Sequence, residues 1–344
     1  MSKNSKNDLS TTNTFPVNSR PLWRRVLLRH ETVILVLLVM VWVAASLKVE
    51  YFSGPLTKTF LLLDVAPILI MALPMTLIII SGEIDLSVAS IFGLSSVIIG
   101  ALYQAGLALP VAGVIALFAG AAAGLLNGVL INVVGLPSLA VTIGTLALYR
   151  GLAVGLLGTT AITNFPEFWT KLAQSKIGGS PIPSVVILLV VLVIIFGILL
   201  HATPFGRGVF AIGYSSETAV FSGIHVVRTK VLLFVFSGIC SAFAGIYYTL
   251  RFGNSIGSNG NGLELAVIAA VLLGGTSILG GKGTILGTVT GVLLIATLAS
   301  ALRLAYVPAN AIDIITGAIL VVSMMVSVSA DRLSLRKKRA GGRK

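Results

Sequence analysis

The chain has 344 residues, 56% of them apolar and 10% charged, with 24 basic side chains against 11 acidic ones. Soluble domains carry roughly a quarter charged residues, so this composition and a mean hydropathy of +1.03 exclude a soluble enzyme and a disordered chain, and they define a membrane protein. The net charge of +13 fits either a nucleic-acid binder or a membrane protein with its basic residues on one face, and the placement of the charges decides between them.

Residues 1–30 read as a cytoplasmic tail, disordered and Ser/Thr/Asn-rich over 1–19 and then basic at Arg20, Arg24, Arg25 and Arg29. No folded module surrounds these charges, so membrane lipid rather than nucleic acid is the expected partner. The first apolar run begins near residue 32, and no small-residue cleavage site follows before Lys48 and Glu50. It therefore reads as a membrane span, not a removable signal.

Spans of about 20 apolar residues then follow one another. The charge-free runs and their Gly/Pro breaks predict ten helices, at 31–48, 61–80, 88–104, 108–134, 138–158, 184–200, 230–250, 265–280, 284–302 and 311–330. Between Asp85 and Arg150 lie 64 consecutive residues without a charge, enough for about three spans. If segment 81–87 is re-entrant, the count falls to eight. The fold class is all-α: a polytopic membrane domain over 31–330 with broken or re-entrant segments, a cytoplasmic loop at 201–229, and a basic tail at 331–344. With the N-terminus inside, 17 basic residues fall on the cytoplasmic side and six outside, with Arg150 within a span. That asymmetry sets both termini in the cytoplasm.

Between the second and third spans, SGEIDLS brings Glu83, Asp85 and Ser87 together at a helix break. Asp85, with Ser87 as a further candidate, is positioned to cap the helix that follows. Asp64, Arg150, Glu264 and Asp313 are expected near the interfaces, with long side chains snorkelling. In the fourth span Gly113, Gly120, Gly124 and Gly128 form a smooth face suited to close helix packing. Asn127 and Thr145, with Ser95, Ser96, Asn132 and Thr142, offer the weak hydrogen-bonding groups that a neutral polyol could use and leave again.

The loop 203–224, TPFGRGVFAIGYSSETAVFSGI, is polar and punctuated by glycine. Ser215 or Ser216 is placed to cap a helix of about two turns over 217–222. Its apolar residues Ala219, Val220 and Phe221 need a partner, and a groove on a soluble protein would supply one. Farther on, Gly274, Gly275, Gly280 and Gly281 mark a second helix break. Stretches 72–99 and 266–293 share the order apolar span, polar glycine-containing break, small-residue span, as an internal repeat would.

Enzymatic motifs are missing. A phosphate loop ending at Gly281-Lys282 would need glycine where Thr276 stands and Ser or Thr where Gly283 stands, so no ATP site is expected in this chain. Cys240 is the single cysteine and reads as a packing residue. His30, His201 and His225 are not spaced as metal ligands, and no metal site is predicted.

Four motifs in order resemble the permease subunits of bacterial ATP-binding cassette importers for monosaccharides, the ribose, xylose, rhamnose and autoinducer-2 type. They are SGEIDLSVAS at 81–90, GLPSLAVTIGTLALYRG at 135–151, the FGR-x-x-x-A-I-G to SGI loop, and GLELAVIAAVLLGGTSILGGKGTILG at 262–287. The resemblance implies about ten helices per subunit, a second permease subunit (identical or homologous), a cytoplasmic ATPase that holds ATP and magnesium, an extracytoplasmic sugar-binding protein, and the bacterial inner membrane as location. It also implies that Gly206, Arg207, Ala211, Gly213, Glu217, Ala219 and Gly223 belong to an ATPase-coupling loop. Glu83 departs from the glycine usual there, Tyr214-Ser215 from a common Gly-Asn, and Val220 from a common alanine. Two other readings stand beside it: a related permease for branched-chain amino acids, and an ion-driven transporter using Glu83, Asp85 and Asp313.

Overall fold

The computed structural model describes residues 30–158 and 160–341, with side chains between residues 32 and 325. The tail expected over residues 1–29 lies outside the described residues. The regular structure among the described residues is helical, apart from isolated bridges Ile162–Ser255 and Lys176–Pro183. In chain order the helices are α1 (His30–Lys48), α2 (Pro55–Ile80), α3 (Val88–Gln104), α4 (Leu109–Asn132), α5 (Ser138–Leu157), α6 (Glu167–Gln174) and α7 (Val185–His201). After the bend come α8 (Pro204–Tyr214), α9 (Ser216–Phe221), α10 (Val226–Phe252), α11 (Leu263–Leu273), α12 (Ile285–Leu304) and α13 (Ala309–Gly341).

Helices α2, α4, α5, α10 and α12 are long and apolar enough to cross a membrane, and α7 with α8 makes a sixth such unit bent by 64°. Shorter apolar helices at 32–48, 88–104, 263–273 and 309–325 occupy the remaining positions, so an apolar helix stands at each of the ten expected spans. Helix α2 is the centre of the bundle: 89% of its most apolar window is buried, and it packs on α10, α12, α11 and α7. Its internal Pro67 and Pro74 are tolerated because neighbouring helices shield the backbone that they leave unpaired.

Helices without a hydrophobic force between them associate through close packing, and the glycines of α4 supply it. Gly120, Gly124 and Gly128 lie against Gly238, Phe234 and Val231 of α10, and a Cβ at Gly124 would overlap the Phe234 carbonyl. Gly113 stands apart from this seam.

The expected repeat is present in backbone detail. At the end of α2, Ser81, Gly82 and Glu83 N–H donate to the carbonyls of Leu77, Ile79 and Ile78; at the end of α11, Gly274, Gly275 and Thr276 donate to Ala270, Leu272 and Val271. Both are the same left-handed termination, centred on Gly82 (φ 84°) and Gly275 (φ 90°), a conformation that glycine adopts without a steric penalty. The likeness extends farther, since α3 and α12 also end alike: Ala105, Gly106 and Leu107 donate to Ala101, Tyr103 and Leu102, and Ala305, Tyr306 and Val307 to Ala301, Arg303 and Leu302.

Two expectations are corrected, and the segment between them takes an unexpected course. The span drawn over 265–280 ends at Leu273, because the termination at Gly275 stops the helix. The stretch before α11, left outside the expected spans, is non-helical: residues 253–262 run back along α3, with Ser255 hydroxyl donating to the Ser96 carbonyl (2.7 Å) and Asn259 amide to the Ser96 hydroxyl (3.0 Å). Irregular backbone within a membrane domain is sustainable only where protein covers it. Finally, 203–214 is a helix rather than an open loop. The Thr203 hydroxyl accepts from Gly206 N–H and Pro204 occupies the first turn, which are a capping residue and a proline in their preferred places. The backbone of α13 remains helical to Gly341, so most of the expected 331–344 tail continues a helix.

Candidate coupling and translocation site

Both helix breaks meet α8 at one end of the bundle. The Gly281 amide donates to the Ile80 carbonyl (2.8 Å), joining the second break to the last residue of α2. Gly213, near the end of α8, is wedged into that junction: a Cβ there would overlap the Ile80 oxygen and the Gly281 nitrogen. A Cβ on Gly280 would come within 2.9 Å of the Gly213 carbonyl, and one on Gly281 within 3.0 Å of the Tyr214 ring. Deeper in the membrane domain, the Thr76 and Thr288 hydroxyls bond across α2 and α12 (2.7 Å). Gly280 and Gly281, read as a helix break, and Gly213, read as part of the coupling loop, thus form a single contact.

From this junction the chain turns outward through α9. Ser215 caps it by accepting from Thr218 N–H (3.2 Å), as the sequence indicated, and Glu217 in its first turn suits the positive end of the helix dipole. Ala219 is buried at 2%, while Tyr214, Val220 and Phe221 are 70%, 59% and 92% exposed. Gly223 (φ 79°) ends α9, Gly206 is buried at the α7–α8 corner, Ala211 is half-buried, and Arg207 and Glu217 are exposed. Those last two do not join the glycine contact.

Asp85 lies at the centre of a buried polar chain. Its Oδ1 accepts from the Ser87 amide (3.0 Å) and hydroxyl (2.6 Å), and its Oδ2 from the Ser237 hydroxyl of α10 (2.9 Å). The Asn127 amide donates to Ser87 Oγ (2.7 Å), and the Tyr149 hydroxyl donates to the Ala123 carbonyl (3.0 Å) beside Asn127. Helices α4 and α10 are therefore tied to the segment that leads into α3, and α5 to α4; Asp85 accepts from the Ser87 amide just before α3 instead of from the amides of its first turn, and α3 carries no side-chain cap. Glu83 meets Lys230 at 2.5 Å, with both side chains largely covered at 16% and 13% exposure.

Of the other polar candidates, Ser95 is buried with its hydroxyl unpartnered, and the rest are engaged within the chain. Thr145 and Thr142 hydroxyls donate to the carbonyls of Thr142 (3.4 Å) and Ser138 (2.8 Å), and Ser96 is the hub for Thr249, Ser255 and Asn259. Gly274 packs against Gly287 of α12.

Arg150 does not snorkel. Its guanidinium donates to the carbonyls of Gly257 (2.9 Å), Asn259 (2.8 Å) and Ala89 (3.0 Å), stapling the descending 253–262 segment to the start of α3. Nor does Asp64, which bridges Arg251 (2.5 Å) and Arg303 (2.7 Å) and so joins α2, α10 and α12 at the opposite end of the bundle. Sequence reasoning missed Lys230, Ser237 and Asn259 as partners. Lys230, the last charge before the apolar run of α10, was the available signal for the first.

Interrupted apolar helices closed onto a short bent helical unit at one end of a bundle define the membrane-spanning subunit of a transport system. The chain belongs to the family described as branched-chain amino acid transport system / permease component, which it matches over residues 58–324. It is similar to the autoinducer 2 import system permease protein LsrD of Escherichia coli (strain SMS-3-5 / SECEC) and to that of Shigella flexneri. Each is 38% identical over 275 residues, covering 78% of this chain and 83% of the relative. No solved structure matches the chain. As a multi-pass permease subunit it moves a solute and is not itself the catalytic component.

Proposed function

We propose that this chain is a permease subunit of an ATP-driven importer in the bacterial inner membrane, with both termini in the cytoplasm, and that it passes a neutral sugar-like solute of the autoinducer-2 type. An external binding protein delivers the solute, and a cytoplasmic ATPase carrying ATP and magnesium docks on α8 and α9. The observation that carries this reading is the α8–α9 unit: its exposed Phe221, Val220 and Tyr214 offer a short apolar ridge for a partner's groove, while Gly213 rests on both helix breaks. Displacement of the ridge by ATP-driven closure would reach α2, α11 and α12 together.

A second permease, identical or homologous, completes the pathway. Helix α5 supports this, because Gly144, Gly151 and Gly155 have open space where the glycines of α4 have neighbours, as a small-residue face awaiting another helix would.

The test is copurification and uptake. Phe221→Asp is expected to abolish ATPase capture and ATP-dependent uptake of labelled autoinducer-2 while leaving the chain folded; capture and uptake at the unmodified level would reject the docking. The family description names branched-chain amino acids, and competition by leucine but not by autoinducer-2 would favour that cargo. An ion-driven mechanism has less support: Glu83 is paired and Asp85 accepts three hydrogen bonds, so neither is an open ion ligand. Uptake that persists without ATP and collapses with an uncoupler would reverse this judgement.

A further inference from the structure

Lys230 and Ser237 stand seven residues apart on α10, two turns along one face. Both hold the same short segment. Lys230 pairs with Glu83 (2.5 Å), and the Ser237 hydroxyl donates to Asp85 (2.9 Å). The Glu83 amide is in turn fixed to the end of α2 through the Ile78 carbonyl (3.1 Å).

One attachment between a helix and a neighbouring segment leaves a pivot, whereas two at different heights fix their orientation. Without Lys230–Glu83, α10 would hold the polar side chains of the 83–85 segment through Ser237 alone. Helix α10 begins at Val226, just after α9 ends, so motion of the α8–α9 unit enters α10 at the turn that carries Lys230. We propose that Glu83 and Lys230 are positioning residues for access switching: their ion pair stays closed through the cycle and makes the α2–α3 break move with α10 as one body. The proposal rests on α8–α9 being the ATPase-coupling unit.

Stability does not explain the pair well. Desolvation of two largely covered charges offsets much of their attraction, and such pairs can often be replaced by apolar side chains of similar volume without loss. That property supplies the experiment. In the reconstituted importer with its ATPase and binding protein, Glu83→Leu combined with Lys230→Met should leave the melting temperature and ATP hydrolysis near normal. Uptake of labelled autoinducer-2 per ATP hydrolysed should fall roughly fivefold or more, the scale of a typical coupling between sites. Charge exchange, Glu83→Lys with Lys230→Glu, should restore most of it.

Unchanged uptake per ATP in the apolar double variant overturns the proposal. Should that variant fold poorly, a second arm decides. On a Cys240→Ala background, Glu83→Cys and Lys230→Cys are joined by a short reversible bis-thiol reagent. Uptake per ATP that is low before bridging, rises on bridging and falls again with reductant supports a permanently closed tie; uptake per ATP that bridging leaves unchanged or lowers overturns it. An unmodified complex with no ATP-dependent uptake at all would instead indict the importer assignment, a result distinct from either arm.

Discussion

The Gly281 amide donates to the Ile80 carbonyl across 2.8 Å, and so two helix breaks that lie far apart in the chain share one hydrogen bond. Gly213 occupies the only kind of space that such a junction leaves, one without room for a Cβ. A displacement of α8 therefore has no slack to absorb it before reaching α2 and the second break, since packed interiors transmit strain instead of yielding.

Gly213→Ala tests that tightness. The added methyl must push the Ile80 carbonyl away and stretch the Gly281 hydrogen bond, at a cost of ~1–3 kcal/mol for overpacking. The expected result is a lower melting temperature of the purified permease and reduced uptake. Gly144→Ala on α5, where nothing lies within 4 Å, should leave the melting temperature of the isolated chain unchanged.

Asp85→Ala should be worse than Asp85→Asn. Alanine strands the Ser87 and Ser237 donors in a dry interior, and each such loss costs about 1–3 kcal/mol. Asparagine keeps an acceptor for some of them. If Asp85 serves as a buried acceptor for Ser87 and Ser237 and does not carry an ion, uptake by folded Asp85→Asn protein should remain ATP-dependent and insensitive to an uncoupler, which transport assays in vesicles would read directly.

Arg150 offers a test of the descending segment. A lysine ammonium lacks the planar fork that serves three carbonyls at once, so Arg150→Lys should loosen residues 253–262 at a cost of about 1–3 kcal/mol. Hydrogen exchange is expected to rise in that segment and not in the glycine seam of α4 and α10.

Single cysteines on a Cys240→Ala background can locate the second permease. A cysteine at Gly151, on the open face of α5, should crosslink to another permease chain when the complete importer is expressed, and the mass of the product tells an identical partner from a homologous one. A cysteine at Phe118, 71% exposed on α4, serves as the comparison. Crosslinking at Phe118 and none at Gly151 would move the interface elsewhere.

The number and order of the apolar helices were legible in the chain because membrane spans are specified locally, by length and by the absence of charge. The capping of α9 by Ser215 and the local hydrogen bond from the Ser87 amide to Asp85 were legible for the same reason: both act within a few residues. The α8 helix was equally local, through Thr203 and Pro204, but the glycines around them suggested a loop. The break near Gly275 was legible as well, but not its position: the span was drawn through Gly275 to residue 280, because glycine is common in membrane helices and only the backbone angle shows where the helix stops.

The sequence by itself determined that this is a polytopic helical membrane protein with two interrupted spans and a polar, glycine-punctuated segment between them. Tertiary structure decided that the interruptions meet, that Gly213 fills their junction, and that Glu83, Arg150 and Asp64 are paired. Spacing along a helix or a cap depends on neighbours three or four residues away, whereas Glu83–Lys230 and Asp64–Arg251 join residues separated by 147 and 187 positions. No local pattern encodes such partners. They follow from which helices pack together, and in lipid that choice rests on small residues and buried polar groups read across helices rather than along them.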